Sequence, residues 1–319
     1  MLPDLVTPRY FSAMVIAIIQ DCPVINELSA TIQKTISFIN QAASKGADLV
    51  VFGETWLCGY PVWLDVCSDV AFWDHEPVKQ IWSEMYDSAV DLSQNDLTPI
   101  LNAAKENKVW VVIGANEKIS KGRGNGTLFN SVITISDKGE IVNSHRKLMP
   151  TYTEKLVHGT GDGAGLRSVS THFGNLGSLI CWEHWMPLTR QAMHEEAEDI
   201  HIALWPFVKE MHQICARQYA FEGRCHVISV GQVMSVSQLP TALDIPKGLK
   251  PSDLVMKGGS SIYGPDGSIV LSPVIGEKKI IFQELDLSIN VSEKMNLSVS
   301  GHYNRPDVFD FSVNKKRQF

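Results

Sequence analysis

The sequence has little positive charge relative to its negative charge. Its 28 lysines and arginines are outnumbered by 35 aspartates and glutamates, and the formal net charge is −7. Nucleic-acid binding requires a basic surface that displaces counterions from phosphates, so nucleic acid is not expected as a main partner. The short basic cluster at 315–317 is interpreted as a solvated chain end.

Long hydrophobic runs are also absent. The apolar stretch 13–19 is far too short to cross a bilayer, which needs about 20 apolar residues. The first eleven residues, MLPDLVTPRYF, lack the charged start and apolar core of a secretory signal. These absences predict a cytoplasmic protein without a membrane partner.

Paired cysteine spacing and a phosphate-binding loop are missing as well. The six cysteines are scattered and do not form a disulfide framework, so most are expected to be reduced and buried: Cys22, Cys58, Cys67, Cys181, Cys215 and Cys225. The G-x-G-x-G run at 122–126 follows Lys121 rather than a strand–helix turn, and it is interpreted as a flexible loop.

Buried apolar runs and helical periodicity indicate an α/β fold. The run 12–20, a helix from Asn26 or Ser29 to Ala43 and the strand 47–52 form a β-α-β unit with parallel strands. Three hairpins are predicted, pairing 130–135 with 140–145, 168–173 with 177–180, and 260–263 with 268–271. The other predicted elements are a mostly helical region 73–104, helices 188–197 and 210–221, and strands 109–115, 200–204, 226–233 and 279–284.

No linker or change in composition divides the chain. Hydrophobic residues make up 44% of it, which is enough for a large core, and we expect one α/β domain with mixed sheets. The segment 235–257 contains three prolines and little periodicity. A loop of that length inside a compact chain is usually functional or part of an interface.

Three chemically active side chains come directly after predicted strands. Glu54 follows ADLVVFG, Lys147 follows EIVNSHR and Cys181 follows GSLI. Clefts of α/β proteins form at the carboxyl ends of strands. A base, a cation and a thiol that meet there are sufficient for covalent acyl-type chemistry.

Other interpretations of the same residues stay open at this point. Taken singly, Glu54 is a surface turn residue or helix cap, Lys147 a solvated cation and Cys181 a packed thiol. Cys181 and His184 form a C-x-x-H pair, but no second pair completes a zinc site, so no metal is predicted. A cysteine–histidine dyad would need a distant histidine, and nothing in the sequence selects His226 or His302.

Four segments, taken together, resemble the nitrilase superfamily of carbon–nitrogen hydrolases, and more closely its true nitrilase branch. They are FGETWLCGYP, HRKLMPTYTEKLVHGTGDG, GSLICWEHWMP and GHYNRPDVF, and they occur in the family's order over almost the whole chain. The resemblance implies an α-β-β-α four-layer sandwich with mixed sheets. It also implies a single domain over 1–319 with a C-terminal tail from about 285, no cofactor, and self-association into a dimer or larger homo-oligomer.

The resemblance also implies the catalytic residues. The family's Glu–Lys–Cys triad falls on Glu54, Lys147 and Cys181, and its additional glutamate falls on Glu154. The sequence Cys181-Trp182-Glu183 is typical of the nitrilase and cyanide-hydrolysing branches.

The expected activity is hydrolysis of an organic nitrile to the carboxylic acid and ammonia, through a cysteine thioimidate and thioester. The predicted substrate-binding residues are Tyr60, Trp182, His158 and Trp205. His158 stands where the family commonly has tryptophan, which suggests a roomier pocket and favours arylaliphatic nitriles. The alternatives are a cyanide-hydrolysing enzyme, an aliphatic amidase of the same superfamily, and a non-catalytic scaffold or binding protein on this fold.

Overall fold

The computed structural model describes residues 13–318. The N-terminal segment that was compared with a secretory signal, and the first residue of the predicted run 12–20, lie outside these residues. The helices are α1 (Leu28–Ala43), α2 (Trp63–Val66), α3 (Glu76–Ser88), α4 (Thr98–Asn107), α5 (Pro187–His194), α6 (Glu210–Gly223) and α7 (Ile289–Glu293). Within the described range, no helix is both long and apolar enough to span a bilayer.

The strands belong to two sheets. In the first sheet the spatial order is β13 (Lys279–Leu285), β1 (Met14–Gln20), β2 (Leu49–Phe52), β3 (Trp110–Ile119), β4 (Thr127–Ile135) and β5 (Ile141–Arg146). In the second sheet it is β10 (Val233–Ser235), β11 (Leu254–Tyr263), β9 (His226–Val230), β8 (Ile200–Leu204), β7 (Asn175–Ile180) and β6 (Val169–Ser170), with β12 (Ile269–Ile275) paired to β11.

The two sheets pack face to face and helices cover their outer faces. Along β1, Ile16 and Ile18 belong to the cluster between the sheets, whereas Ala17 and Ile19 belong to the cluster beneath α1 and α4. This alternation is the period of two that a strand with both faces buried produces. Helices α5 and α6 cover the second sheet, so the predicted α-β-β-α sandwich with mixed sheets is confirmed.

The predicted β-α-β unit and all three hairpins are present. β1 and β2 are parallel, and the pairs β4–β5, β6–β7 and β11–β12 are antiparallel. The glycine-rich run 122–126 lies in the turn that joins β3 to β4, a hairpin that the sequence did not predict.

Two predicted segments differ from the structure. The helical region 73–104 is two helices, because the chain between them is extended at Val90, which forms a parallel bridge with Glu117 of β3. The loop predicted over 235–257 ends earlier than expected, because β11 begins at Leu254. Its side chains Leu239 and Leu243 pack in the same cluster as Tyr60 and Trp63, so this loop covers the segment that follows Glu54.

Candidate active site

The sheet topology brings the predicted strand ends to one place. β2 and β5 run in the same direction in the first sheet, so Glu54 and Lys147 leave it at the same edge. The Lys147 Nζ donates a hydrogen bond to Glu54 Oε1 at 2.9 Å. β7 of the facing sheet carries Cys181, whose thiol interacts electrostatically with both side chains. The three groups predicted from strand ends therefore meet.

Lys147 is held between two carboxylates in a fully buried site. In addition to Glu54, it donates to Glu154 Oε1 at 2.9 Å and to Glu154 Oε2 at 2.7 Å. Glu154 also accepts a hydrogen bond from the Tyr60 hydroxyl at 2.7 Å. Glu54, Lys147 and Glu154 are each exposed by 1% or less, so the ion pairs exclude water.

Burial and the ion pairs set the ionisation of these groups in different directions. Burial lowers the pKa of Lys147, but the charges of Glu54, Cys181 and Glu154 outweigh it and the pKa is raised. Burial raises the pKa of Glu154, yet Lys147 holds it below the ordinary carboxyl value. For Glu54, burial is the largest effect and the pKa is raised to about 7, despite the attraction of Lys147.

Cys181 begins a 3₁₀ turn, Cys181–Trp185, directly after β7. Its φ of 53° is in the left-handed region. Few residues other than glycine adopt this backbone conformation, and those that do are often found at functional sites. Burial first, and then the charge of Glu54, raise the pKa of the thiol well above its ordinary value, while the backbone N–H of Trp182 lowers it. The resting thiol thus keeps its proton, and Glu54 is the adjacent group that can take it.

Glu183 connects the strand ends that carry Lys147 and Cys181, a contact that the sequence did not indicate. Its carboxylate accepts hydrogen bonds from the backbone N–H of Leu148 and of Ile180, both at 2.8 Å. It also pairs with His145 Nε2 at 2.9 Å. The sequence analysis used Glu183 only as a family marker; its burial in a turn beside β7 is the signal for a structural role.

Two amide side chains position Glu54, and the sequence analysis missed both. Asn130 Nδ2 donates to Glu54 Oε1 at 2.7 Å, and its backbone carbonyl accepts from the N–H of Lys147 at 2.8 Å. Gln232 Nε2 donates to the Glu54 carbonyl at 2.6 Å. A polar amide inside the apolar strand β4 is the one sequence signal that points to Asn130.

Cys181 lies in the wall of a cavity of about 670 Å³. The wall is mostly apolar and aromatic, and the lining residues include Tyr60, Tyr152, Trp182, Trp185, Phe207 and Met211. Tyr60 and Trp182, two of the residues predicted to bind substrate, therefore line the cavity. Phe207 and Met211 belong to the connection from β8 to α6 and the first turn of α6, which the sequence analysis did not associate with the pocket.

His158 and Trp205 do not line this cavity. His158 is buried behind Glu154, donates from Nε2 to Asn116 Oδ1 at 2.8 Å, and gives its backbone N–H to the Glu154 carbonyl. Burial lowers the pKa of His158 to about 4, so its ring is neutral. Trp205 is fully buried and stacks on His212, which is itself a lining residue, with ring centroids 4.5 Å apart. Trp205 thus supports the wall from behind.

The C-x-x-H pair of Cys181 and His184 is not directed at a common point. His184 Nδ1 lies 2.7 Å from the Cys181 carbonyl oxygen, and its Nε2 lies 3.0 Å from His201 Nε2. Both ring nitrogens are therefore used in contacts inside the core. Over residues 13–318, no group of three or more His, Cys, Asp and Glu side chains is arranged to hold a metal ion.

Comparison with known proteins agrees with this geometry. Residues 15–289 match the family model of the carbon–nitrogen hydrolases. The chain is 35% identical over 309 residues to a nitrilase of Pseudomonas syringae pv. syringae, covering 92% of this chain and 87% of that protein. It is 32% identical to an aliphatic nitrilase of Sinorhizobium fredii, covering 94% and 95%.

The fold is similar to that of a carbon–nitrogen hydrolase from Helicobacter pylori. That structure aligns with a TM-score of 0.70 and 20% sequence identity, over 93% of this chain and 97% of the other. The family match spans all three predicted catalytic segments. The chain therefore belongs to the carbon–nitrogen hydrolase family, in its nitrilase branch, and is a hydrolase of carbon–nitrogen bonds.

Proposed function

We propose that this protein hydrolyses an organic nitrile to the carboxylic acid and ammonia, with Cys181 as the nucleophile and Glu54, Lys147 and Glu154 as catalytic partners. The observation that carries the proposal is the buried Glu54–Lys147–Glu154 cluster beside a thiol that lines an apolar cavity. A thiol with a raised pKa needs a neighbouring base, and a carboxylate with a pKa of about 7 suits that role at neutral pH.

In the first step the Cys181 proton passes to Glu54 as the sulfur attacks the nitrile carbon. A C–S bond forms, one C–N π bond breaks, and the nitrogen gains negative charge. Glu54 then passes the thiol proton on to this nitrogen, which gives a neutral thioimidate and an ionised Glu54. Lys147 and the backbone N–H of Trp182, which both act on the Cys181 thiol, stabilise this charge. Glu154 keeps Lys147 charged and in position, since it accepts two of the Nζ hydrogen bonds.

In the second step Glu54 accepts a proton from water, which attacks the thioimidate carbon. Departure of ammonia leaves a thioester, and a second water releases the carboxylic acid and restores the thiol. If the C–S bond of the tetrahedral adduct breaks before the C–N bond, the product is the amide. The ratio of acid to amide therefore reports how often the C–N bond of this adduct breaks before the C–S bond.

The cavity favours arylaliphatic nitriles as the substrate class. Aromatic rings stack favourably on aromatic side chains, and Trp182, Trp185 and Phe207 provide such surfaces near the thiol. Hydrogen cyanide would leave most of a 670 Å³ cavity unfilled, which disfavours the cyanide-hydrolysing alternative. Asp65 and Lys209 are the charged lining residues, so the remainder of the wall suits an uncharged substrate.

A substrate panel tests this proposal. Arylacetonitriles, aliphatic dinitriles, cyanide and the matching amides are incubated with the enzyme, and ammonia, acid and amide are measured separately. We expect the highest kcat/KM with an arylacetonitrile and no turnover by a Cys181→Ala variant. Ammonia release from amides with none from any nitrile would instead identify an amidase, and full activity of Cys181→Ala would refute the covalent mechanism.

Alkylation tests the alternative of a non-catalytic scaffold. All six cysteines are buried, but Cys181 is the one that lines the cavity described above. We expect iodoacetamide to modify Cys181 first, with Cys22 and Cys58 as internal controls in the same peptide map. Equal labelling of the three thiols would favour the scaffold. A Glu54→Gln variant that slows labelling of Cys181 alone would support Glu54 as the base.

A further inference from the structure

A chain of buried polar side chains leads from the core to the backbone of Cys181. The Tyr219 hydroxyl donates to Glu198 Oε2 at 2.6 Å, and Glu198 Oε1 lies 2.7 Å from His201 Nδ1. His201 Nε2 lies 3.0 Å from His184 Nε2, and His184 Nδ1 lies 2.7 Å from the Cys181 carbonyl oxygen. All four side chains are exposed by 3% or less, and the proposed reaction uses none of them.

The carbonyl at the end of this chain determines where every proton lies. A carbonyl only accepts, so His184 Nδ1 must carry a hydrogen. A neutral His184 then has a bare Nε2, which must accept from His201 Nε2–H. A neutral His201 in turn has a bare Nδ1, which must accept from Glu198. Glu198 is thus a protonated carboxylic acid whose O–H donates to His201, while its other oxygen accepts from Tyr219.

The surroundings of Glu198 favour this uncharged arrangement over a Glu198⁻–His201⁺ ion pair. Burial raises the pKa of Glu198 to about 8, and burial lowers the pKa of His184 to about 3 and that of His201 well below its ordinary value. The site is also tight, because a Cβ at Gly177 would lie 1.5 Å from Glu198 Oε1. The other titratable groups that act on the chain are Glu183, His194, Glu196, Asp199, His212, Glu222 and Cys225.

The carbonyl that receives this chain belongs to the peptide bond between Cys181 and Trp182. We propose that Glu198, His201 and His184 are positioning residues that orient and polarise this peptide, so that the Trp182 N–H is a stronger donor to the sulfur and to the reacting nitrogen. A hydrogen bond accepted by the carbonyl of a peptide strengthens the hydrogen bond that its N–H donates. The hydrogen bond from His184 to the Cys181 carbonyl also holds Cys181 in its left-handed backbone conformation. This inference rests on the proposed nucleophilic role of Cys181.

Two substitutions at one position separate donation from packing. In Glu198→Gln the amide N–H₂ can still donate to His201 and the amide oxygen can still accept from Tyr219, whereas Glu198→Leu has a similar volume and no donor. We expect Glu198→Leu to lower kcat by roughly 5- to 100-fold, as for the loss of one hydrogen bond to a buried group, with KM changed by less than about two-fold. Glu198→Gln is expected to restore kcat to within about three-fold.

The matched control is Tyr263→Phe, which alters another buried tyrosine of the same core, one that contacts Ser261 rather than this chain. Its kcat should match the wild type. The pH profile gives a readout that simple loss of packing would not move. Above pH 8 ionised Glu198 would reverse the proton order and leave His184 Nδ1 bare against the carbonyl. The wild-type profile should therefore fall on the alkaline side, and Glu198→Gln should extend it upward.

Two measurements test the chain without nitrile turnover. Long-range ¹⁵N NMR of histidine-labelled protein at pH 7 should show the Nδ1–H tautomer for His184 and the Nε2–H tautomer for His201, assigned with His184→Gln and His201→Gln. The rate at which iodoacetamide alkylates Cys181 should fall in Glu198→Leu and recover in Glu198→Gln.

Each result has a definite meaning. The inference would be overturned by the opposite tautomers or by a charged His201. It would also be overturned if Glu198→Leu kept wild-type alkylation and turnover, or if Glu198→Gln lowered both rates as much as Glu198→Leu does. Failure of the proposed function looks different: the wild type would release no ammonia from nitriles, while the tautomers and the alkylation series would still decide the positioning role.

Discussion

Replacement of Glu183 by alanine tests how the two catalytic strand ends are held together. The Glu183 carboxylate accepts from the N–H groups of Leu148 and Ile180 and from His145. Leu148 follows Lys147 and Ile180 precedes Cys181, so Glu183 sets the spacing between the cation and the thiol. Glu183→Ala should therefore reduce both stability and kcat.

The magnitude follows from what the substitution leaves behind. Two buried backbone donors and one buried imidazole lose their acceptor, and removing one member of a buried, hydrogen-bonded pair costs about 3–5 kcal/mol. With an unfolding entropy of about 2 cal/mol/K per residue, a chain of 319 residues should lose roughly 5–8 °C in Tm. Glu183→Gln keeps one acceptor oxygen, so its Tm should fall by less than that of Glu183→Ala.

Differential scanning calorimetry and kcat for the best nitrile provide the assay. The control is Glu195→Gln, directly after α5. Glu195 is an exposed carboxylate whose side-chain hydrogen bond comes from Gln191, and the change in stability should stay within about 0.5 kcal/mol. An unchanged Tm and kcat in Glu183→Ala would refute the reasoning, and so would a Glu183→Gln variant as damaged as the alanine variant.

The same comparison has a defined pH dependence. Burial raises the pKa of Glu183, but His145 and the two backbone donors outweigh it, so the pKa in the folded protein lies below the ordinary 4.5. A carboxyl group whose pKa is lower in the folded than in the unfolded protein stabilises the fold at any pH above its unfolded-state pKa. This contribution is lost as the pH falls through the folded-state pKa. The difference in Tm between wild type and Glu183→Ala should be full at neutral pH and shrink below pH 4.5.

The remaining predictions concern the reaction itself. Because Glu54 must be ionised to accept the thiol proton, kcat/KM should rise with pH through about 7; a flat profile from pH 5 to 8 would contradict this role. Asn130→Ala removes a hydrogen bond that lowers the pKa of Glu54, so the rise of kcat/KM with pH should move to higher pH. A shift of this rise to lower pH would refute the role of Asn130. Lys147→Met should lower kcat/KM by roughly 100- to 1,000-fold in protein with an unchanged circular dichroism spectrum. Tyr60→Phe removes one donor to Glu154 and should cost about three- to ten-fold, detected in kcat.

Much of the fold was predictable because its signals are local. The runs MVIAIIQ and LVVF are buried on both faces and bound a helix, so a parallel β-α-β unit follows from them. Turn residues marked three hairpins. The extended interruption at Val90 was not predictable, since it depends on pairing with Glu117, which is distant in sequence.

The sequence by itself determined which chemical groups end the strands: a carboxylate at Glu54, an ammonium at Lys147 and a thiol at Cys181. These are properties of short segments and need no knowledge of packing. Family resemblance added Glu154, and the structure places its carboxylate 2.7 Å from Lys147 Nζ.

Only the tertiary structure decided how those groups behave. Their pKa values depend on burial and on charges from other strands, and neither quantity is encoded at the position itself. The contacts of Glu183 with Leu148 and of Glu198 with Tyr219 join residues 35 and 21 positions apart. The same packing assigned Trp182 to the cavity wall and Trp205 to the layer behind it, a distinction that two tryptophans in a sequence cannot make.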